Sequence, residues 1–307
     1  MPISTLWRLD KIVFPSSVEI RRIENQAWNA GVEQLLQRSG GELHPDFVGT
    51  LVVRPEITFS TPQLATLLAP VGLGGSAVTS AIDTYLKRVA EVGNFARAST
   101  VHKRLRVSSS VVYIRSIRLP HNGAGSADVA IVAAYDGVNA PIVYAGSVAL
   151  SGSQAAVDEL FGAGPCALNG VAIPDVQEIT IDTGVTIGRR GSGSELYDTA
   201  IFCEQKEITV TVKCHGEVNW STIGLTGLAL DGANGLRFFA RRFADKATRV
   251  ADGSASHILF QGLVGQVVPQ NTSGSGSDLT SDTFAVKLAQ TSESSTPLAV
   301  TLNSAIT

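Results

Sequence analysis

Cys214-His215 sets a thiol beside an imidazole, and His44, His102, His121 and His257 supply the other candidate bases. A cysteine nucleophile needs a base within hydrogen-bond reach and a third group to orient that base. Successive strand residues point to opposite faces, so adjacency alone does not join this thiol to this imidazole. The histidines are scattered, mostly beside turn signals, and none repeats at a matching place in the two halves of the chain. Asp278, Asp282 and Glu293 are spaced to gather around a cation, yet isolated carboxylates in Gly/Ser loops commonly bond their own backbone. Gly72-Leu73-Gly74-Gly75 and the Gly188 to Gly193 cluster lack the strand-loop-helix setting of a phosphate cradle. The sequence has no GxSxG, HExxH, Walker-type GxxxxGK or paired-Cys zinc spacing. On this reading there is no catalytic, cofactor-binding or metal-ligating residue to name. The chain is expected to act through shape and contacts, with an enzyme built around Cys214 and His215 as the weakest of three readings.

The elements that position side chains come from a β-rich composition. Of 307 residues only 17% are charged and 6% aromatic, and Gly (30 residues), Ser, Thr, Ala and Val are abundant. Such a mixture suits many short strands joined by small-residue turns. The net charge of −3 argues against a nucleic-acid clamp. Cys166, Cys203 and Cys214 are an odd set without CxxC, which points to buried thiols made in a reducing compartment, although Cys203 and Cys214 are placed to face each other across a hairpin. The N-terminus shows no signal-peptide pattern, and no segment reaches the roughly 18 apolar residues of a membrane span.

The chain also resembles itself. Ser39-Gly40-Gly41-Glu42-Leu43 with Asp46 leads to Glu56-Ile57-Thr58, and Ser192-Gly193-Ser194-Glu195-Leu196 with Asp198 leads to Glu207-Ile208-Thr209. Further pairs are Leu86-Lys87-Arg88 with Leu236-Arg237-Phe238, Pro120 with Pro269, and Pro141 with Pro297. The separations, 192 − 39 = 153, 269 − 120 = 149 and 297 − 141 = 156, are near half the length. A period this long means two tandem units. The division expected is an N-terminal extension or arm over 1–38, a first domain over 39–165 and a second over 166–307.

Within the extension, Ile20, Ile23, Ala27, Leu35 and Leu36 follow helical spacing. Thr61-Pro62 starts a short helix through Leu68 that Pro70 and Gly72 break. Ala81, Ile82, Tyr85, Leu86 and Val89 predict a longer helix, and Leu236, Phe239 and Phe243 its counterpart, running to about Ala247. Strands are expected through Val48–Phe59, Leu105–Leu119, Ala127–Tyr135, Ile142–Leu150, Ala200–Lys213, Ile258–Val268, Asp282–Ala289 and Leu298–Leu302. Asp136-Gly137-Val138-Asn139 marks a hairpin turn. The fold class is thus mainly β with a few helices (α+β): two similar β-sandwich or partial-barrel domains, each with a flanking helix.

The acidic-Leu loop, the strands carrying Glu56-Ile57-Thr58 and Glu207-Ile208-Thr209, and the C-terminal run through Thr283-Phe284-Ala285-Val286-Lys287-Leu288-Ala289-Gln290 to Ser304-Ala305-Ile306 resemble the tail tube (major tail) proteins of long-tailed bacteriophages. The resemblance implies a virion protein made in the bacterial cytoplasm that self-assembles into stacked rings enclosing a conduit for DNA. It implies homotrimers whose six units give a pseudo-hexameric ring, contact with neighbouring tail proteins, passage of DNA without specific binding, and no membrane or cofactor. Residues 1–38, 70–80 and 271–278 would order between rings, and Arg115 and Arg118 would sit uneasily on a lumen strand because basic side chains retain phosphates. The alternative is a virion decoration or receptor-binding protein of β-sandwich type. Such a protein calls for exposed aromatic patches, whereas Trp7, Trp28 and Trp220 lie in patterned segments.

Overall fold

A computed structural model of the chain describes residues 6–90, 93–94, 96–150, 159–193, 195–215, 227–244, 248–273, 281–292 and 295–307. Strand accounts for 60% and helix for 4%, so the fold is mainly β. The first half runs β1 (Leu6–Val13), β2 (Glu19–Ile20), β3 (Glu24–Asn29), β4 (Val32–Gln37), β5 (Phe47–Val53), β6 (Glu56–Thr61), helix α1 (Leu64–Val71), β7 (Ser76–Val78), β8 (Ile82–Ala90), β9 (Gly93–Asn94), β10 (His102–Val107), β11 (Ser109–Pro120), β12 (Ser126–Ala134) and β13 (Ile142–Val148). The second runs β14 (Phe161–Leu168), β15 (Val171–Ile173), β16 (Val176–Asp182), β17 (Thr186–Arg190), β18 (Ala200–Gln205), β19 (Thr209–Cys214), β20 (Leu228–Ala229), β21 (Leu236–Arg242), β22 (His257–Gly262), β23 (Val264–Ser273), β24 (Ser281–Ala289) and β25 (Ala299–Ser304).

The two series have the same topology. One sheet reads β13-β10-β8-β1-β2 and another β25-β22-β21-β14-β15. Two short hairpins, β4-β5 and β17-β18, stand apart from the large sheets. The remaining strands form one ten-stranded sheet in which β3-β6-β12-β11 is followed by β16-β19-β24-β23, with β7 and β20 in equivalent places beside β11 and β23. The units are not separate globules. They share this sheet through the pairing of β11 with β16, and one apolar core runs from Ile12 and Ile57 in the first half to Phe260 and Phe284 in the second.

Irregularities repeat as well. Arg115 is bulged out of β11 between Ile114 and Ser116, and Gln270 out of β23 between Pro269 and Asn271. The bulge lets Ile114 and Ile117 both face the core, which strict alternation forbids. Pro269 therefore corresponds to Ile114, not to Pro120, and the separation in these strands is 155. Thr209 corresponds to Glu56, two residues from the match of the Glu-Ile-Thr triplets, since both open strands with the same inward set: Ile57 and Phe59 in one, Val210 and Val212 in the other. The separation at Pro141 and Pro297 does hold, because Val143 and Ala299 occupy equivalent rungs, Val143 opposite Arg106 and Ala299 opposite Gln261.

Three helix expectations give way to strands. The segment from Ile20 to Leu36 holds β3 and β4, and β1 pairs along its length with β8. The repeat therefore begins at β1, whose counterpart is β14, and the segment 1–38 supplies integral strands. The run Ala81 to Val89 is β8, hydrogen-bonded on both sides by β1 and β10, with Asp83 opposite Arg106 and bound to it at 2.7 Å. The run from Leu236 is β21, where Leu236, Phe238 and Ala240 are fully buried and Phe238 stacks on Phe260 at 4.9 Å. The inward residues recur every second position there, and the helical spacing of Phe239 and Phe243 is coincidental. Of the expected helices only α1 forms among the described residues. It starts at Leu64 rather than Pro62 and keeps Pro70 in its last turn, while Glu159, from the start of the second unit, accepts hydrogen bonds from the Ala65 and Thr66 N–H groups.

Candidate assembly surface

The joint between the two units is built from strand edges. Ser116, Ile117, Arg118, Leu119 and Pro120 of β11 lie opposite Asp182, Ile181, Thr180, Ile179 and Glu178 of β16. Ile117, Ile179 and Ile181 reach the core and are sealed from solvent. On the other face Arg118 Nη2 meets Glu178 Oε2 at 2.6 Å. Beyond the strand, Thr183 Oγ1 donates to the Ile114 carbonyl at 2.6 Å and the Thr183 N–H to the Arg115 carbonyl at 3.1 Å. Arg115 is likewise bound to Glu56. Both arginines on this strand are thus matched by carboxylates, which relieves the tension seen for them in the sequence.

The β17-β18 hairpin then lies across the outer face of the first unit. Val185, Ile187 and Ile201 pack on Tyr113, Ala130 and Val132, which are buried by that contact. Its connecting loop is pinned at several points: the Val53 N–H donates to the Leu196 carbonyl at 2.8 Å, Arg54 Nε to Asp198 Oδ2 at 3.0 Å, and the Tyr135 and Tyr197 rings lie 5.6 Å apart. Arg189 adds a 3.6 Å ion pair to Glu56.

The counterpart surfaces in the other halves are bare. β3, the equivalent of β16, is the last strand at one end of the large sheet, and Asn271, Thr272 and Ser273 of β23 have no strand on their outer side among the described residues. Trp28 sits opposite the core residue Ile57 yet is 54% exposed, whereas its equivalent Ile181 is 0% exposed. The β4-β5 hairpin is exposed over nearly its whole length, with Val32, Leu35, Leu36, Leu43, Phe47, Val48 and Leu51 facing solvent. Val268, which stands where Tyr113 stands in the first unit, is 38% exposed against 8% for the tyrosine. Each hairpin leaves its strand through a left-handed glycine. Gly31 has φ +57° and Gly184 φ +54°, and a Cβ would meet the Arg54 or Glu207 carbonyl oxygen at 2.1 or 2.6 Å. Asn29 Oδ1 and Asp182 Oδ1 accept the N–H of these glycines at 2.9 Å. The hairpins are therefore launched by the same turn, one onto a surface and one into solvent.

The residues singled out for chemistry do not converge. Cys214 is buried and burial pushes its thiol up to about 11, where it is protonated and a poor nucleophile. Its Sγ donates to the Asp282 carbonyl at 3.7 Å. Cys203 lies opposite Ile187 in the outer hairpin rather than facing Cys214, and Cys166 is buried with its thiol raised to about 12. Asp282 is buried and accepts Thr272 Oγ1 at 2.8 Å, while Asp278, Glu293 and Trp220 lie outside the described residues. Among the described residues no three His, Cys, Asp or Glu side chains come together as a metal site.

Two histidines do repeat, contrary to the sequence reading. His102 Nδ1 accepts the Arg88 N–H at 3.0 Å and its Nε2 faces the Ala96 carbonyl at 3.1 Å; His257 Nδ1 accepts the Arg242 N–H at 3.1 Å and its Nε2 faces the Ala251 carbonyl at 3.1 Å. Both rings are fully buried, and 257 − 102 = 155, the separation of the bulges. Their role is to lock the loops before β10 and β22. The signal was present as A-x-x-S-x-x-H, in Ala96-Arg97-Ala98-Ser99-Thr100-Val101-His102 and Ala251-Asp252-Gly253-Ser254-Ala255-Ser256-His257.

Comparison of the chain with protein-family models and with curated proteins finds no match in either.

Proposed function

We propose that this chain is a structural subunit that assembles with copies of itself, and specifically a tail tube protein whose rings stack into a conduit for phage DNA. The observation that carries this reading is the shared sheet: one four-stranded unit is followed by another in the same direction, leaving two unlike ends with unpaired strand edges among the described residues. Unlike ends that join head to tail generate closed rings when the rotation per step allows it, and open filaments otherwise. Exposed strand edges and apolar hairpins are liabilities in a monomer and serve as contacts in an assembly. The face of the sheet opposite the core is polar around Ser60, Ser116, Asp128 and Asp182, with its arginines paired, which suits a wall past which DNA slides. No catalytic residue is assigned.

Electron microscopy of the purified full chain tests the proposal. Rings with sixfold projections and a solution mass of three chains are expected; a monomer that persists at millimolar concentration overturns it. Exposed Trp28, Phe47 and Tyr144 give some weight to a second reading, a virion decoration or receptor-binding protein. That reading predicts binding to intact virions or host cells by a chain that does not form rings.

A further inference from the structure

We infer that the joint inside the chain is the template for the joint between chains. The edge of β3 and the β4-β5 hairpin of one copy then seat on β23 and on the outer face of the second unit of another copy. This inference rests on the proposal of ring assembly and adds the partner surface and its register. Each strand and hairpin of the internal joint has a counterpart left uncovered among the described residues. The donor side, β16 with β17-β18, corresponds to β3 with β4-β5, and the acceptor side, the end of β11 with Tyr113, to the end of β23 with Val268. Exposure follows the same division: the residues covered at the internal joint include Ile181 and Tyr113, and their uncovered equivalents are Trp28 and Val268.

The register follows from the two separations. Ser116 opposite Asp182 becomes Asn271 opposite Asn29, Ile117 opposite Ile181 becomes Thr272 opposite Trp28, and Arg118 opposite Thr180 becomes Ser273 opposite Ala27. Val32 and Val48, the equivalents of Val185 and Ile201, would cover Val268. Trp28 would enter a closed sheet at a rung where its equivalent is core. The chemistry of the two joints differs. The internal one carries the Arg118–Glu178 and Arg189–Glu56 ion pairs; Glu24 stands opposite Ser60 as Glu178 stands opposite Lys213, but Ser273, Leu36 and Thr209, the equivalents of the other three residues, are uncharged, so neither pair is repeated. The partner surface is therefore apolar and hydroxyl-rich, and this seam is expected to resist salt.

Disulfide trapping in the full chain, with Cys203→Ser to remove the one partly exposed thiol, tests the register. Directly opposed antiparallel residues have Cβ atoms close enough to bridge, and residues displaced by two do not. Ser273→Cys with Ala27→Cys should link one chain to another on mild oxidation. Asn271→Cys with Ala27→Cys should do so at least about tenfold less, a difference of roughly 1.4 kcal/mol in effective pairing. Arg118→Cys with Thr180→Cys should close within a chain and serves as the positive control. Val268→Asp should weaken assembly by at least about tenfold while leaving the melting curve of the monomer unchanged. Rings in which the Ser273/Ala27 pair stays reduced, or in which the displaced pair links equally well, overturn the seam and leave the ring proposal standing. A wild-type chain that never assembles overturns both.

Discussion

The two outer hairpins are the same element in two circumstances. β17-β18 rests on Tyr113, Ala130 and Val132 and is fixed by Arg54, Tyr135 and Glu56, whereas β4-β5 carries a longer run of apolar side chains and touches little. Both start from a left-handed glycine held by an Asx contact. Local sequence therefore sets the launch of each hairpin, and the presence of a neighbouring unit decides whether its apolar face is covered. The difference teaches that an apolar hairpin launched in this way is covered only where a neighbouring unit stands beside it, which is the ground for the proposed seam.

The likeness of the halves breaks most severely if the histidines prove unequal. His102→Ala and His257→Ala each orphan a buried N–H and carbonyl and leave a cavity, and each should cost about 2–4 kcal/mol in chemical denaturation. A loss confined to one of them would end the claim that the two loops are locked alike. The launching glycines come next. Gly31→Ala and Gly184→Ala should each cost about 1–3 kcal/mol, from left-handed backbone and the clash with a carbonyl oxygen. The hairpins themselves should then separate. Ile201→Asp, on the seated hairpin, should lower monomer stability by about 1–2 kcal/mol, while Val48→Asp, its free equivalent, should stay within about 0.5 kcal/mol and act on assembly alone. Thermal melts of both variants under monomeric conditions, with light scattering for assembly, read the contrast.

The smallest effect expected is acid sensitivity at the turn that precedes β21. Asp231 accepts the N–H groups of Gly235, Asn234 and Ala233, which hold its carboxyl down at about 2. An unfolded aspartate titrates near 3.9, so the stabilisation is complete above about pH 4 and is lost as pH falls through about 2. Asp231→Asn should flatten that part of the melting-temperature profile. A profile between pH 4 and 2 unchanged by the substitution would show that the loop is held by other contacts.

Much of the architecture was legible in residue types. The mainly β composition, the strands through Leu105–Leu119 and Ala127–Tyr135, and the short helix after Thr61 are all found, with shifted ends. The repeat was legible because Ser39 and Ser192 and the later prolines Pro141 and Pro297 keep their offsets. The triplet Glu-Ile-Thr misled because strands accept hydroxyl and β-branched residues in many registers, so a three-residue match is cheap. Ile82 to Val89 and Leu236 to Phe243 misled for another reason. Their apolar residues satisfy both periods, and the ladders on either side, which no local pattern reveals, decide the outcome. The proposed assembly surface was not legible at all. Whether Trp28 is core or edge depends on which strand ends a sheet, a property of the whole chain.

Carrying one lateral joint inside a single polypeptide has a kinetic consequence. The pairing of β11 with β16 forms at an effective concentration fixed by covalent tethering, independent of how dilute the subunits are. In the proposed assembly, a circle closed from three such fused pairs requires fewer than half the bimolecular encounters of one closed from six single units, so it should nucleate at lower expression levels. There the tethered seam carries two ion pairs that the open seam does not repeat, so the two junctions of a circle would answer differently to ionic strength.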